Sequence, residues 1–181
     1  YILVPDSREI PEGIPHGTVV GSHLKKALIY SSVHNSLVSE FGSIDAIKGV
    51  CDARYIHQSD LAERIASGEV ADCGVGTSPD IERIITLSPD GIMLSPFENS
   101  GTYGKVGQLG IPIIECADYM ETSPLGRAEW MKFYGMLFGK EDVATRMFDD
   151  TKREYLTLRQ SVDSVQERPR VIVDRLYGQA W

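Results

Sequence analysis

Apolar positions along the chain switch repeatedly between short continuous runs and stretches spaced by three and four. Ile92-Met-Leu94 is a continuous run of the kind that a strand buried on both faces uses. Before it, Ile81, Ile84, Ile85 and Leu87 recur at helical spacing. Pro79 predicts the first turn of that helix, where a missing N–H goes unnoticed, and Ser88-Pro-Asp-Gly91 stops it. The alternation recurs along the chain. Ala27 to Tyr30 predicts a strand, Ser31-Ser32 a cap, and Val33, Leu37, Val38 and Phe41 a helix that Gly42 ends. Ile47 to Cys51 predicts the next strand, and residues 59–66 a helix capped by Ser59 or Asp60 and closed by Gly68. Residues 105–109 read as a short helix and residues 112–116 as another strand. This order predicts an α/β fold: a parallel sheet flanked by helices on both faces.

Both ends depart from that rhythm. Residues 1–23 are rich in turn formers, among them Pro5, Pro11, Gly13, Pro15 and Gly17, and read as an extended arm with a short strand at its start. Pro124 opens a helix carrying Leu125, Ala128, Met131, Phe133, Met136 and Leu137, which Gly139 ends. A second helical pattern covers residues 141–167, with Phe148, Tyr155, Leu158, Val162 and Val165 in one stripe. It would extend roughly 40 Å, more than a small domain needs. Arg168-Pro169 ends it, and Val171-Ile-Val173 predicts a strand with nothing after it to pair with. The expected division is a lobe over residues 1–140, a linking helix over 141–168 and the start of a second unit over 169–181, as in a fragment of a longer protein.

Composition narrows the function classes. An apolar content of 42% is ordinary for a globular domain, and a net charge of −8 argues against a nucleic-acid partner. No apolar run approaches the roughly 18–20 residues that span a bilayer. Cys51, Cys73 and Cys116 have no metal-ligand spacing and border apolar runs, so they read as small buried hydrophobes.

In parallel α/β sheets ligands bind outside the carboxyl ends of the strands, which directs attention to the loops 31–34, 52–57, 74–78, 95–102 and 117–127. Ser31, Ser32 and His34 would supply a nucleophile and base, but no Gly-x-Ser-x-Gly elbow surrounds them, and serines after a strand commonly cap the next helix. Gly74 and Gly76 complete no nucleotide fingerprint. Tyr119, Glu121 and Arg127 precede and open a helix; they either face the crevice to meet a polar ligand or form a capped helix with a Glu121–Arg127 salt bridge. Glu82 lies in a first helical turn, where the helix dipole favours a carboxylate.

Two motifs add a resemblance. Pro79-Asp-Ile-Glu-Arg-Ile-Ile-Thr-Leu, continuing through Ser88-Pro-Asp-Gly-Ile-Met-Leu94, resembles the helix–strand signature of substrate-binding proteins of iron–siderophore, haem and cobalamin ABC importers. Glu121-Thr-Ser-Pro-Leu-Gly-Arg-Ala-Glu-Trp130, followed by Phe133-Tyr-Gly-Met-Leu-Phe-Gly-Lys-Glu141, is similar to the lead into that family's connecting helix. The likeness runs from about Ala27 to the end of the chain. It implies two α/β lobes joined by one rigid helix, a metal chelate (ferric siderophore, haem or cobalamin) held between them, and a membrane permease as partner. It also implies a periplasmic or lipid-anchored extracytoplasmic protein with neither catalytic residues nor a cofactor. Ser32, His34, Tyr55, Phe97, Glu98, Tyr119, Glu121 and Arg127 are then the expected ligand-binding residues, and Glu82 the carboxylate that docks on the permease. The apolar stripe and strand over residues 141–181 predict that the isolated chain either self-associates through this region or leaves it poorly ordered. The rival class is a doubly wound hydrolase using Ser31 and His34 or the Glu121/Arg127 pair.

Overall fold

Three-residue and four-residue apolar runs leave little choice but strands buried on both sides, and the computed structural model is built on them. It describes residues 1–5, 10, 12–96, 103–167 and 169–171. The order is β1 (Ile2–Pro5), β2 (Val19–Ser22), β3 (Ala27–Ile29), α1 (Ser32–Glu40), β4 (Ile47–Val50) and α2 (Ser59–Ala66). The short strands β5 (Ala71–Asp72), β6 (Gly74–Val75) and β7 (Ser78–Pro79) follow, then α3 (Ile81–Leu87), β8 (Gly91–Leu94), β9 (Ile113–Glu115), α4 (Pro124–Leu137) and α5 (Glu141–Ser161). Strands β5-β4-β3-β8-β9 form one sheet in that order, every pair parallel.

Successive strand residues serve opposite faces. Ala27, Ile29, Met93 and Ile114 enter one core with Val38, Phe41 and Leu61 from α1 and α2 and with Tyr134 and Leu137 from α4. Leu28, Tyr30, Ile92 and Leu94 enter the other, with Ile84 of α3. The approach of α3 is close: a Cβ on Gly49 of β4 would lie 2.6 Å from Leu87 Cδ2. Cys51, Cys73 and Cys116 are all buried thiols, and burial pushes the Cys73 pKa up to about 11.

The order in which strands are added reverses at the centre of the sheet. From β3 the chain moves through β4 to β5, then returns past α3 to place β8 on the other side of β3. The carboxyl ends of β3 and β8 are therefore a topological switch point, where the loops leaving the two strands diverge and open a crevice. Asp90 fixes the opposite end of this pair, its Oδ2 accepting from the N–H groups of Lys25 and Lys26 at 2.8 Å each.

Several local expectations move. Pro79 lies in β7 rather than in the helix, and Asp80 caps α3, its Oδ1 accepting from Arg83 N–H at 3.0 Å. Gln58 precedes α2, so Ser59 is its first helical residue and makes no side-chain cap. The N-terminal arm holds two strands, β1 and β2, paired in parallel. Its Tyr1 hydroxyl accepts from Glu115 N–H of the edge strand β9 at 2.7 Å. The long helix stops at Ser161 instead of 167. Beyond Phe148, its buried anchor on α4, only Tyr155 is even half-buried, and residues such as Val162 and Val165 have weak helix propensity. The strand expected at 171–173 lies largely outside the described residues. Among the described residues no helix is long and apolar enough to cross a membrane.

Candidate ligand-binding rim

The carboxyl ends of β3, β8 and β9 hold the loops that converge on one cleft of about 210 Å³, lined by Ser31, Val33, His34, Ser95, Asp118, Tyr119 and Arg127. Each element contributes for a local reason. Ser31 leaves β3 in extended conformation and accepts from Val33 N–H at 3.2 Å, which starts α1 at the rim. Asn35 ties that turn back to the sheet by donating to the carbonyls of Ile29 and Ser31. After β9 a 3-10 turn, Asp118–Met120, carries Asp118 and Tyr119 into the cleft. Ser123 then caps α4, with Pro124 in its first turn, and this sets Arg127 beside the 3-10 turn.

Asp118 is the most densely bonded group in the cleft. Its Oδ1 lies 2.8 Å from His34 Nε2 and accepts from the Tyr134 hydroxyl at 2.9 Å. Its Oδ2 accepts from Arg127 Nε at 3.4 Å. Burial pushes the carboxyl up, but the hydrogen bond and charge of His34, the Tyr134 hydroxyl and the Arg127 guanidinium together hold it below the usual carboxylate range. Burial, reinforced by Cys116 and Asp118, pushes the Tyr134 phenol well up, so that it remains an O–H donor. The ring of His34 also packs edge-on to Tyr134, with centroids 5.0 Å apart.

The residues expected at the site fall into five groups. His34, Tyr119 and Arg127 meet in the cleft, although His34 is buried and spends Nε2 on Asp118. Ser32 opens α1 beside the cleft without lining it, its neighbours Ser31 and Val33 doing so. Tyr55 emerges at the same end of the sheet, in the 3-10 turn Ala53–Tyr55 after β4, with Arg54 stacked over its ring at 4.6 Å; it does not line the cleft. Phe97 and Glu98 lie outside the described residues. Glu121 lines a neighbouring depression of about 430 Å³ with Tyr1, Trp130 and Phe133.

Two pairings differ from those the sequence offers. Glu121 forms no salt bridge with Arg127; it accepts from Trp130 Nε1 at 2.9 Å, while Arg127 pairs with Asp118. The carboxylate of Glu121 lies against the start of α4, where a Cβ on Gly126 would come within 3.1 Å of its Oε2. Ser31 and His34 likewise form no nucleophile–base pair, since the hydroxyl caps α1 and the imidazole bonds Asp118. Sequence patterning singles out neither Asp118 nor Tyr134. The loop after a predicted strand is a signal for Asp118, whereas Tyr134 sits inside a helix among core residues and carries none.

Glu82 stands apart from this rim, exposed in the first turn of α3. No group of three or more His, Cys, Asp or Glu side chains among the described residues is arranged to hold a metal ion.

The sequence profile of the periplasmic binding protein family matches residues 42–181. An uncharacterized lipoprotein of Methanocaldococcus jannaschii is 27% identical over 170 residues, covering 90% of this chain and 40% of that one. Among solved structures, the petrobactin-binding protein YclQ of Bacillus subtilis superposes with a TM-score of 0.66 at 18% identity, over 81% of this chain and 50% of that one. The periplasmic vitamin B12 binding protein BtuF of Vibrio cholerae gives a TM-score of 0.59 at 21% identity, over 79% of this chain and 52% of that one. The chain thus spans about half the length of the proteins it matches. Likeness at this level of identity carries the fold, a parallel sheet flanked by helices and followed by a long helix. The family is one of solute-binding proteins rather than enzymes. With its profile matched over more than half of the sequence, the chain belongs to the periplasmic binding protein family.

Proposed function

We propose that this chain forms the first lobe of an extracytoplasmic solute-binding protein that carries a metal chelate to an ABC permease. The observation that supports the reading most directly is the cleft at the switch point, where Tyr119 offers an aromatic face beside a half-exposed Arg127. Such a rim suits a large organic chelate with anionic groups, and one lobe alone would cover only one side of it. In this reading α5 is the connector to a second lobe, Tyr55, Ser32 and Glu121 are further contacts around the His34–Tyr119–Arg127 cleft, and Phe97 and Glu98 are further ligand-binding residues. The lipoprotein relative favours a location outside the cytoplasm, in the periplasm or anchored at the outer face of a membrane.

Ferric tricatecholate, haem and cyanocobalamin, added separately while tryptophan emission is followed, test the ligand class. One of the three is expected to quench saturably, and Arg127→Ala to weaken that binding by about tenfold, the value of a charge-assisted hydrogen-bonded contact. Absence of quenching by all three would remove the chelate reading.

Glu82 is proposed as the permease-docking carboxylate, because it is exposed and remote from the cleft. Glu82→Arg should lower uptake of the chelate by cells while leaving its affinity for the purified protein unchanged. Equal loss of both would take Glu82 out of the docking role.

A further inference from the structure

The cleft at the switch point contains one lysine or arginine among its described lining residues, Arg127. Its guanidinium is held from one side only. Nε donates to Asp118 Oδ2 at 3.4 Å, and no other polar partner bonds the group among the described residues. Behind that contact the carboxylate is clamped, because His34 Nε2 at 2.8 Å and the Tyr134 hydroxyl at 2.9 Å both meet its other oxygen, Oδ1. The clamp is itself buried: His34 and Tyr134 are 4% and 2% exposed. A carboxylate fixed at Oδ1 by two packed rings from α1 and α4 cannot turn, so Oδ2 is fixed as well. Nε of Arg127 then points back into the protein, while the two Nη groups of the planar fork remain unengaged on a side chain that is 56% exposed.

We infer that Asp118, backed by His34 and Tyr134, is a positioning residue that presents the Nη fork of Arg127 to a carboxylate arm of the bound ligand. The inference rests on the binding-protein reading of the site and adds to it the ligand's anchoring group and the residues that set its geometry. A carboxylate arm, which brings one negative charge to the fork, fits better than a phosphate dianion, which brings two, because Asp118 already offsets the arginine charge. The fork matches the two oxygens of a carboxylate in parallel hydrogen bonds. Fixing a long side chain before the ligand arrives also spares the loss of rotamer freedom on binding.

Citrate is the probe, with trimethyl citrate as the uncharged control, and the readouts are the Arg127 Nε–H signal by 15N NMR and the citrate dissociation constant. In the wild type the Nε–H is expected to exchange slowly with solvent. Citrate, but not its ester, should shift the Arg127 signals saturably. Asp118→Asn should weaken citrate about tenfold. Tyr134→Phe, which keeps the ring and removes one clamp, should weaken it about threefold and carries the test alone if Asp118→Asn does not fold. In an Arg127→Lys background both effects should vanish, which a merely structural role of Asp118 would not produce. Unchanged citrate affinity in both variants, equal losses in the Arg127→Lys background, or no citrate shift of Arg127 in the wild type would each overturn the inference. If chelates quench tryptophan emission while citrate leaves Arg127 untouched, the positioning inference alone falls. If citrate behaves as expected and no chelate binds, the importer reading falls and the positioning stands.

Discussion

A carboxylate as enclosed as that of Asp118 would ordinarily resist ionisation, yet the donors around it reverse the sign. Its folded pKa is depressed below the unfolded value, so its contribution to stability is fully present above about pH 4 and is lost as pH falls through the folded value. Asp118→Asn should therefore lower the urea unfolding free energy at pH 7 by about 2 kcal/mol, the scale of hydrogen bonds to a charged group. The gap from wild type should narrow as pH is lowered below about 4; a constant gap across that range would mean that the lost term is not the carboxylate charge. The three thiols present the opposite case. Cys51, Cys73 and Cys116 are at most 1% exposed, and burial raises the pKa values of Cys51 and Cys73. Thiolate is the reactive form. Native protein at pH 8 should thus leave all three unmodified by a disulfide reagent, and denatured protein should titrate three. The border positions of these cysteines in apolar runs already point to that assignment.

At the level of elements, α4 and α5 cross where Gly135 removes a side chain. A Cβ placed there would lie 2.5 Å from Ala144 Cβ and 3.1 Å from the Lys140 carbonyl oxygen. In an exposed helix, replacing glycine by alanine gains up to about 1 kcal/mol. Here the sign should reverse: Gly135→Ala must push the helices apart, and overpacking of this kind costs about 1–3 kcal/mol. Urea denaturation checks this, and a stabilised variant would mean that the crossing is looser than the geometry states. The same crossing explains how far α5 can be read from its pattern. Its start is set by packing, with Ala144 and Phe148 buried, while Leu158 is 68% exposed. A periodic stripe announces a helix but not which of its turns have a partner, and so the expected extent to residue 167 shortens to Ser161.

Across the molecule, the face of α5 beyond its anchor on α4 is the surface most in need of cover. Leu158 and Val162, one helical turn apart on that stripe, are 68% and 48% exposed. Isolated as 181 residues, the chain should therefore self-associate through this helix, with a sedimentation coefficient that rises with concentration. Leu158→Lys should hold it monomeric. A concentration-independent monomer in the wild type would show that the stripe tolerates water.

Elements that arise from short-range causes are legible in the linear pattern. Continuous apolar runs mark β3, β4, β8 and β9 to within about one residue at each end, and spacing marks the helices, because burial pattern and caps are local. Their alternation also settles the class of sheet and the end at which a ligand site would lie. Short strands such as β5 to β7 escape, since two residues carry no period. Which rim residues meet is left to the three-dimensional arrangement. The reversal at β3 brings the loop after β3 against the loops after β8 and β9, so that His34 finds Asp118, 84 residues away. The same arrangement pairs Arg127 with Asp118 and Glu121 with Trp130, where the sequence offers Glu121 and Arg127 to each other. A pairing over that separation is settled by strand order, and strand order is a property of the whole sheet rather than of any stretch of sequence.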